Sequence, residues 1–136
     1  MAKKRTKTIS AIPAPWLANV ISLLEDGDPA KIKWSFRAES DWQQFGLKHQ
    51  AYEHCLETLK SPSPVGEQIF GMVNPSDDQE CETWASPCRH PFGLATWLYA
   101  KIGLHQGQLK INLFSLHIDL SGELITAIKA YLKSKK

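Results

Sequence analysis

The chain has 136 residues, of which 43% are hydrophobic and 22% charged, and its formal net charge is +2. That length suits one domain around one core, and the charged fraction is too modest for a disordered chain. Three cysteines, an odd number with no apolar leader-like run ahead of them, argue against a disulfide framework, export or membrane insertion, so a reducing cytoplasm is the expected location.

The net charge hides an uneven distribution. Lys3, Lys4, Arg5, Lys7, Lys133, Lys135 and Lys136 lie at the ends, which leaves nine Lys and Arg against fourteen Asp and Glu in the body. Within that acidic body, Thr83 to Ile118 holds no Asp or Glu, yet carries Arg89, His90, Lys101, His105, Lys110 and His117. A basic tail is commonly a solubility device, so the internal cationic segment is the more informative of the two.

In chain order, residues 1–12 read as a flexible basic lead and 13–136 as a single domain. A first helix opens near Pro15, with Trp16, Leu17, Val20, Ile21 and Leu24 at helical spacing and Gly27 as its stop. Ile32, Trp34 and Phe36 then alternate with Lys33, Ser35 and Arg37, which suits a short half-buried strand or a bent linker. A second helix runs from about His49 to Leu59 on a stripe of Tyr52, Cys55, Leu56 and Leu59. It must end before the Ser-Pro-Ser-Pro run at 61–64, because proline disfavours helical geometry in the residue before it.

The second half reads as mostly β. Glu67 to Val73 is an expected strand, Asn-Pro-Ser-Asp-Asp a turn, Glu82 to Ala85 a further strand, and Ser86 to Ala95 a loop. Leu98, Ala100, Ile102 and Leu104 alternate with Tyr99, Lys101, Gly103 and His105, the clearest period-two pattern in the chain. Gln106-Gly107 supplies a two-residue turn, and Leu109, Ile111 and Leu113 continue on the apolar side. There the phase changes, and Phe114, Leu116 and Ile118 become the apolar set. One face can stay buried only if an extra residue is accommodated near Leu113 and Phe114, as a β-bulge does. Pairing across hairpin and bulge then puts Tyr99 and Lys101 on one face with Ser115 and His117. A last helix carries Leu124, Ile125, Ile128, Tyr131 and Leu132, with Asp119 or Ser121 as its cap.

This order predicts an α+β fold, an antiparallel sheet packed against helices on one face with N- and C-terminal helices, and a partly open second face. Such a face can bind a polyanion and act on it. Metal-free cleavage of RNA needs a group to take the 2′-hydroxyl proton, a cation for the charge growing on the phosphate, and an acid for the leaving oxygen. His117 can be base or acid, Lys101 can stabilise the charge, and Tyr99 can orient a base or phosphate. Arg89, His90, Lys110, Ser115 and Trp97 are the expected RNA contacts. The plain alternatives are a surface histidine, a solubilising lysine and a packed tyrosine ring.

The segment Ile32 to Leu59, with Phe36, Ala38, Asp41, Phe45-Gly46-Leu47 and Leu56-Glu57-Thr58-Leu59, resembles the front half of the motility quorum-sensing regulator toxins, a branch of the RelE-like bacterial ribonucleases. The Trp84 region, Leu98-Tyr99-Ala100-Lys101-Ile102 and Lys110 to Leu116 look like that family's following strands. The resemblance implies the toxin of a type II toxin-antitoxin pair, an mRNA-cutting endoribonuclease without a cofactor. Its implied partners are RNA, as free or ribosome-bound mRNA, and a cognate antitoxin protein, with no membrane. Position by position, the family's central-strand tyrosine and lysine fall on Tyr99 and Lys101, and its last basic residue falls near His117. Ser63 to Gln68 lacks the family's lysine, and Ala85 stands where a glutamine is expected.

Two other classes stay open. Cys81, Cys88 and His90, with His54 or Cys55, offer a zinc set, although C-x6-C-x-H matches no paired-ligand signature. Trp34, Trp42, Trp84 and Trp97 are equally consistent with an antitoxin-like or immunity module that binds protein. The acidic stretch Glu67 to Glu82 is either a solvated loop or a cover over the cationic face.

Overall fold

The computed structural model describes residues 8–89, 97–105 and 107–134. Its elements in chain order are β1 (Thr8–Ala11), α1 (Ala14–Asp26), β2 (Ile32–Trp34), α2 (Phe36–Trp42), α3 (Lys48–Leu59), β3 (Val65–Ile69), β4 (Glu82–Arg89), β5 (Trp97–His105), β6 (Lys110–Ile118) and α4 (Glu123–Ser134). The strands form one sheet in the order β1-β3-β4-β5-β6-β2. Only β2 runs parallel to its neighbour; the other pairs are antiparallel. The α+β class expected from the sequence is the class observed.

Leu98, Ala100, Ile102 and Leu104 of β5, with Ile111, Leu113 and Leu116 of β6, project to one side and are fully buried. There they meet Trp16, Val20 and Leu24 of α1, Ala38 and Trp42 of α2, and Cys55 and Leu59 of α3. Helix α1 ends where Gly27 takes a left-handed φ of 65° and its N–H closes onto the Leu23 carbonyl at 3.0 Å. Glycine carries no Cβ penalty in that conformation.

The helices are not confined to one face. Leu124 and Ile128 of α4 pack with Ile69, Ala85 and Tyr99, whose side chains leave the sheet on the opposite side from Leu98 and Trp84. An amphipathic C-terminal helix needs an apolar landing, and Ile9, Val65 and Ile69 of β1 and β3 supply it. Asp119 Oδ2 accepts from the Leu124 N–H at 3.1 Å and Ser121 Oγ accepts from the Glu123 N–H at 3.3 Å, so the two expected caps share the work.

Three other local expectations are corrected. Thr8–Ala11 is not part of a lead but strand β1, paired with β3. The strand expected to run through Phe36 stops at Trp34, because the Ser35 hydroxyl accepts from the Ala38 N–H at 3.0 Å and starts α2. Residues 86–89, expected in a loop, continue β4. Pro87 is tolerated there because the pairing of β3 with β4 runs only from Thr83 to Ala85, which leaves β4 an edge beyond it.

The hairpin prediction holds in its main features. Ile102 pairs with Leu113 but Lys101 pairs with Ser115, so Phe114 is the extra residue of a bulge. His105 pairs with Lys110, so four residues rather than two separate the strands. Two and four have the same parity, so Tyr99, Lys101, Ser115 and His117 keep their expected common face. Two apolar residues do not keep theirs: Phe114, expected with Leu116 and Ile118, is the bulged residue and lies on the Gly103 side of the sheet with Cys81 and Thr83, and Leu109, expected beside Ile111, is exposed in the turn with a left-handed φ of 48°. No helix among the described residues is long and apolar enough to cross a membrane.

Candidate functional site

The face opposite the main core is polar along β5 and β6. Tyr99 lies across from His117 and Lys101 across from Ser115, so the four expected neighbours are adjacent. They line one shallow cleft of about 330 Å³ together with Arg37, Asp119, Glu123 and Leu124. The Tyr99 and His117 rings stack with centroids 5.2 Å apart and planes 19° from parallel. His117 Nδ1 lies 3.1 Å from the Ile118 carbonyl oxygen. A carbonyl only accepts, so in the neutral ring Nδ1 carries the hydrogen and Nε2 is left with the lone pair of a base.

Arg37 was not singled out from the sequence, because it sits in the first turn of a helix that the alternation of Ile32, Trp34 and Phe36 concealed. Ser35 ahead of Ala38 and Trp42, an i, i+4 apolar pair, was the available signal. Two hydrogen bonds hold that turn to the bulge: the Ser35 N–H donates to the Leu113 carbonyl and the Ser35 hydroxyl to the Phe114 carbonyl, each at 3.0 Å. Arg37 is largely exposed and lies 3.9 Å from Asp41, too far for a hydrogen bond. Asp119 and Glu123 arrive with the start of α4, so the cleft carries acids as well as Arg37 and Lys101. The locally cationic face expected from Thr83 to Ile118 is modified in this way by a segment that follows it in sequence.

The remaining expected RNA contacts are dispersed. Arg89 and Trp97 lie in a separate groove with Ile128 and Leu132 of α4, and Arg89 Nε is paired with Glu57 Oε1 at 2.9 Å. Lys110 is exposed at the hairpin end, five residues and roughly 16 Å along β6 from Ser115. His90 falls outside the described residues.

The hairpin end of the same face has its own polar network. His105, 3% exposed, contacts Asp77 through Nε2 at 2.8 Å; the Asn74 amide donates to Asp77 at 2.9 Å, and the Asn112 amide donates to Asn74 at 3.3 Å. The His105 hydrogen bond, then those of Asn74 and the Gln79 N–H, pull the Asp77 carboxyl down to about 2. The acidic stretch therefore does cover part of the polar face, over His105 and Asn112 rather than over His117.

The zinc set does not assemble. Cys88 faces the main core beside Cys55, whereas Cys81 lies on the polar side near Gly103 and Thr83, at the opposite end of β4. No group of three or more His, Cys, Asp or Glu among the described residues could hold a metal ion. Hydrogen bonding with Cys55 and burial raise the Cys88 thiol well above its ordinary value, and burial raises Cys81, so neither is disposed to be a thiolate.

Compared with family models, with curated proteins and with solved structures, the chain matches none. The likeness to the motility quorum-sensing regulator toxins rests on the short motifs quoted from the sequence.

Proposed function

We propose that the chain is a metal-independent endoribonuclease acting on single-stranded mRNA, the toxin of a toxin-antitoxin pair. The observation that carries this reading is the gathering of Tyr99, Lys101, Ser115, His117 and Arg37 in one cleft. His117 Nε2 takes the proton from the 2′-hydroxyl, whose oxygen attacks the adjacent phosphorus. Lys101 and Arg37 stabilise the charge that grows on the phosphate oxygens, and the leaving 5′-oxygen is protonated by solvent. The products are a 2′,3′-cyclic phosphate and a 5′-hydroxyl end. With its ring stacked on the imidazole and packed against α4, Tyr99 is a positioning residue that acts through His117. A cognate antitoxin silences such a site by covering it.

The test is incubation of a long unstructured RNA with the protein in excess EDTA, with and without ribosomes, with the cleavage ends mapped. Cyclic or 3′-phosphate ends that are lost in His117→Ala and Lys101→Ala support the reading. RNA left intact under both conditions overturns it in favour of a binding module. That second reading is favoured by Asp119 and Glu123 in the cleft and by Leu120 beside them, which is 89% exposed.

A further inference from the structure

Phe36 is 89% exposed although its helix has no need of an apolar residue there, since Ala38 and Trp42 anchor α2 to the core. Its ring borders a cleft of about 430 Å³ whose other walls are Glu39, Ser40, Trp42, Gln43 and Gly46. The cleft thus combines one aromatic face with hydroxyl, amide and carboxylate groups, the composition that reads an unpaired nucleobase by stacking and edge hydrogen bonds.

Its position connects it to the site already described. Phe36 precedes Arg37, which lines the cleft of Tyr99 and His117, so one turn of α2 borders both clefts. That turn is fixed by the two Ser35 hydrogen bonds to the bulge, immediately before Ser115. The backbone that carries Phe36 is thereby anchored beside the phosphate site.

We propose that this cleft on α2 is a nucleobase subsite for the same RNA strand. An unpaired base next to the scissile phosphate stacks on Phe36, with Ser40 and Gln43 at its edge, while Arg37 holds that phosphate. The inference rests on the ribonuclease reading and supplies a physical reason for its single-stranded substrate, because a base inside a duplex has no free face to offer.

The experiment measures binding of a short fluorescent 2′-O-methyl RNA, which cannot be cleaved for want of a 2′-hydroxyl, to the full chain by anisotropy. Phe36→Ala is expected to weaken binding about 5- to 150-fold, the loss of one base–aromatic stack. Phe36→Trp restores it, and a strand with abasic nucleotides binds both proteins alike. Because Phe36 is exposed, thermal unfolding of the alanine variant should match the parent and exclude misfolding. Equal affinity of parent and Phe36→Ala overturns the subsite and leaves the ribonuclease reading standing. No binding of any strand by the parent overturns both. Unchanged RNA affinity together with lost binding of a protein encoded by a neighbouring gene assigns the face to a protein partner and also overturns the subsite.

Discussion

Gly103 tests whether the bulge is pressed onto the sheet. A Cβ built there would lie 2.5 Å from Phe114 Cε2 and 2.9 Å from both Cys81 Cβ and Thr83 Oγ1. The ring edge can move, but Cys81 Cβ is one bond from backbone and Thr83 sits in a paired strand, so the three contacts cannot all relax. In Gly103→Ala two effects oppose each other. Reduced freedom of the unfolded chain favours the alanine by about 0.4–1 kcal/mol. Overpacking a tight site costs about 1–3 kcal/mol, and three contacts under 3 Å place the cost towards the upper end. The net loss should be about 1–2 kcal/mol, a fall of roughly 3–10 °C in melting temperature for a domain of this size. Differential scanning calorimetry of Gly103→Ala, Phe114→Ala and the double variant reads it. In the Phe114→Ala background one of the three contacts is gone, so the alanine at 103 should cost less there. A melting temperature that is unchanged or raised in Gly103→Ala would refute the close approach of Phe114 to β5, and with it the idea that this ring seats the bulge.

Two further outcomes follow from side chains near the polar face. Ser35→Ala removes the N-cap of α2 and the donor to the Phe114 carbonyl, and should cost about 0.5–2 kcal/mol by urea denaturation, with reduced RNA cleavage because Arg37 loses its anchor. Asp77 has a folded pKa of about 2 against an ordinary 3.8, so the unfolded chain binds its proton more readily. Its contribution is present above pH 3.8 and disappears as the pH falls towards 2. The melting-temperature gap between wild type and Asp77→Asn should close over that window; a gap that is constant with pH would contradict the His105–Asp77 pairing.

The parts of the fold that were legible in the sequence are those where one physical constraint acts alone. The β5 alternation is fixed by a sheet with one apolar face, and the shift of phase at Phe114 has no economical explanation but a bulge, so Tyr99, Lys101, Ser115 and His117 could be put together without coordinates. Helix α2 was hidden because Ile32, Trp34 and Phe36 extend a period-two pattern by chance across a helix cap, and the cap takes precedence once the Ser35 hydroxyl has an N–H to satisfy. Pro87 concealed the end of β4, since the sequence does not say where β3 stops pairing. Arg37, Asp119 and Glu123 were missed for a different reason: they reach the cleft by tertiary placement of α2 and α4, which no local pattern encodes.

That placement explains why the cleft lies where it does. The apolar face of the sheet is covered by α1, α2 and α3, and the polar face has two partial covers. Helix α4 lies over β1, β3 and β4, and the segment holding Asn74 and Asp77 closes over His105 and Asn112. Between them remains a strip of β5 and β6, where a second layer would have to desolvate Lys101 and His117 at a cost that only paired partners offset. Polar side chains on a sheet interior would ordinarily weaken a fold. Here three of the buried ones, Asn74, His105 and Asn112, are hydrogen-bonded to one another or to Asp77, which limits the penalty and fixes the outer end of the hairpin. A hairpin pinned at one end and bulged in its middle presents Ser115 and His117 on a rigid support, which a site needs if its groups are to keep their geometry without a bound ligand.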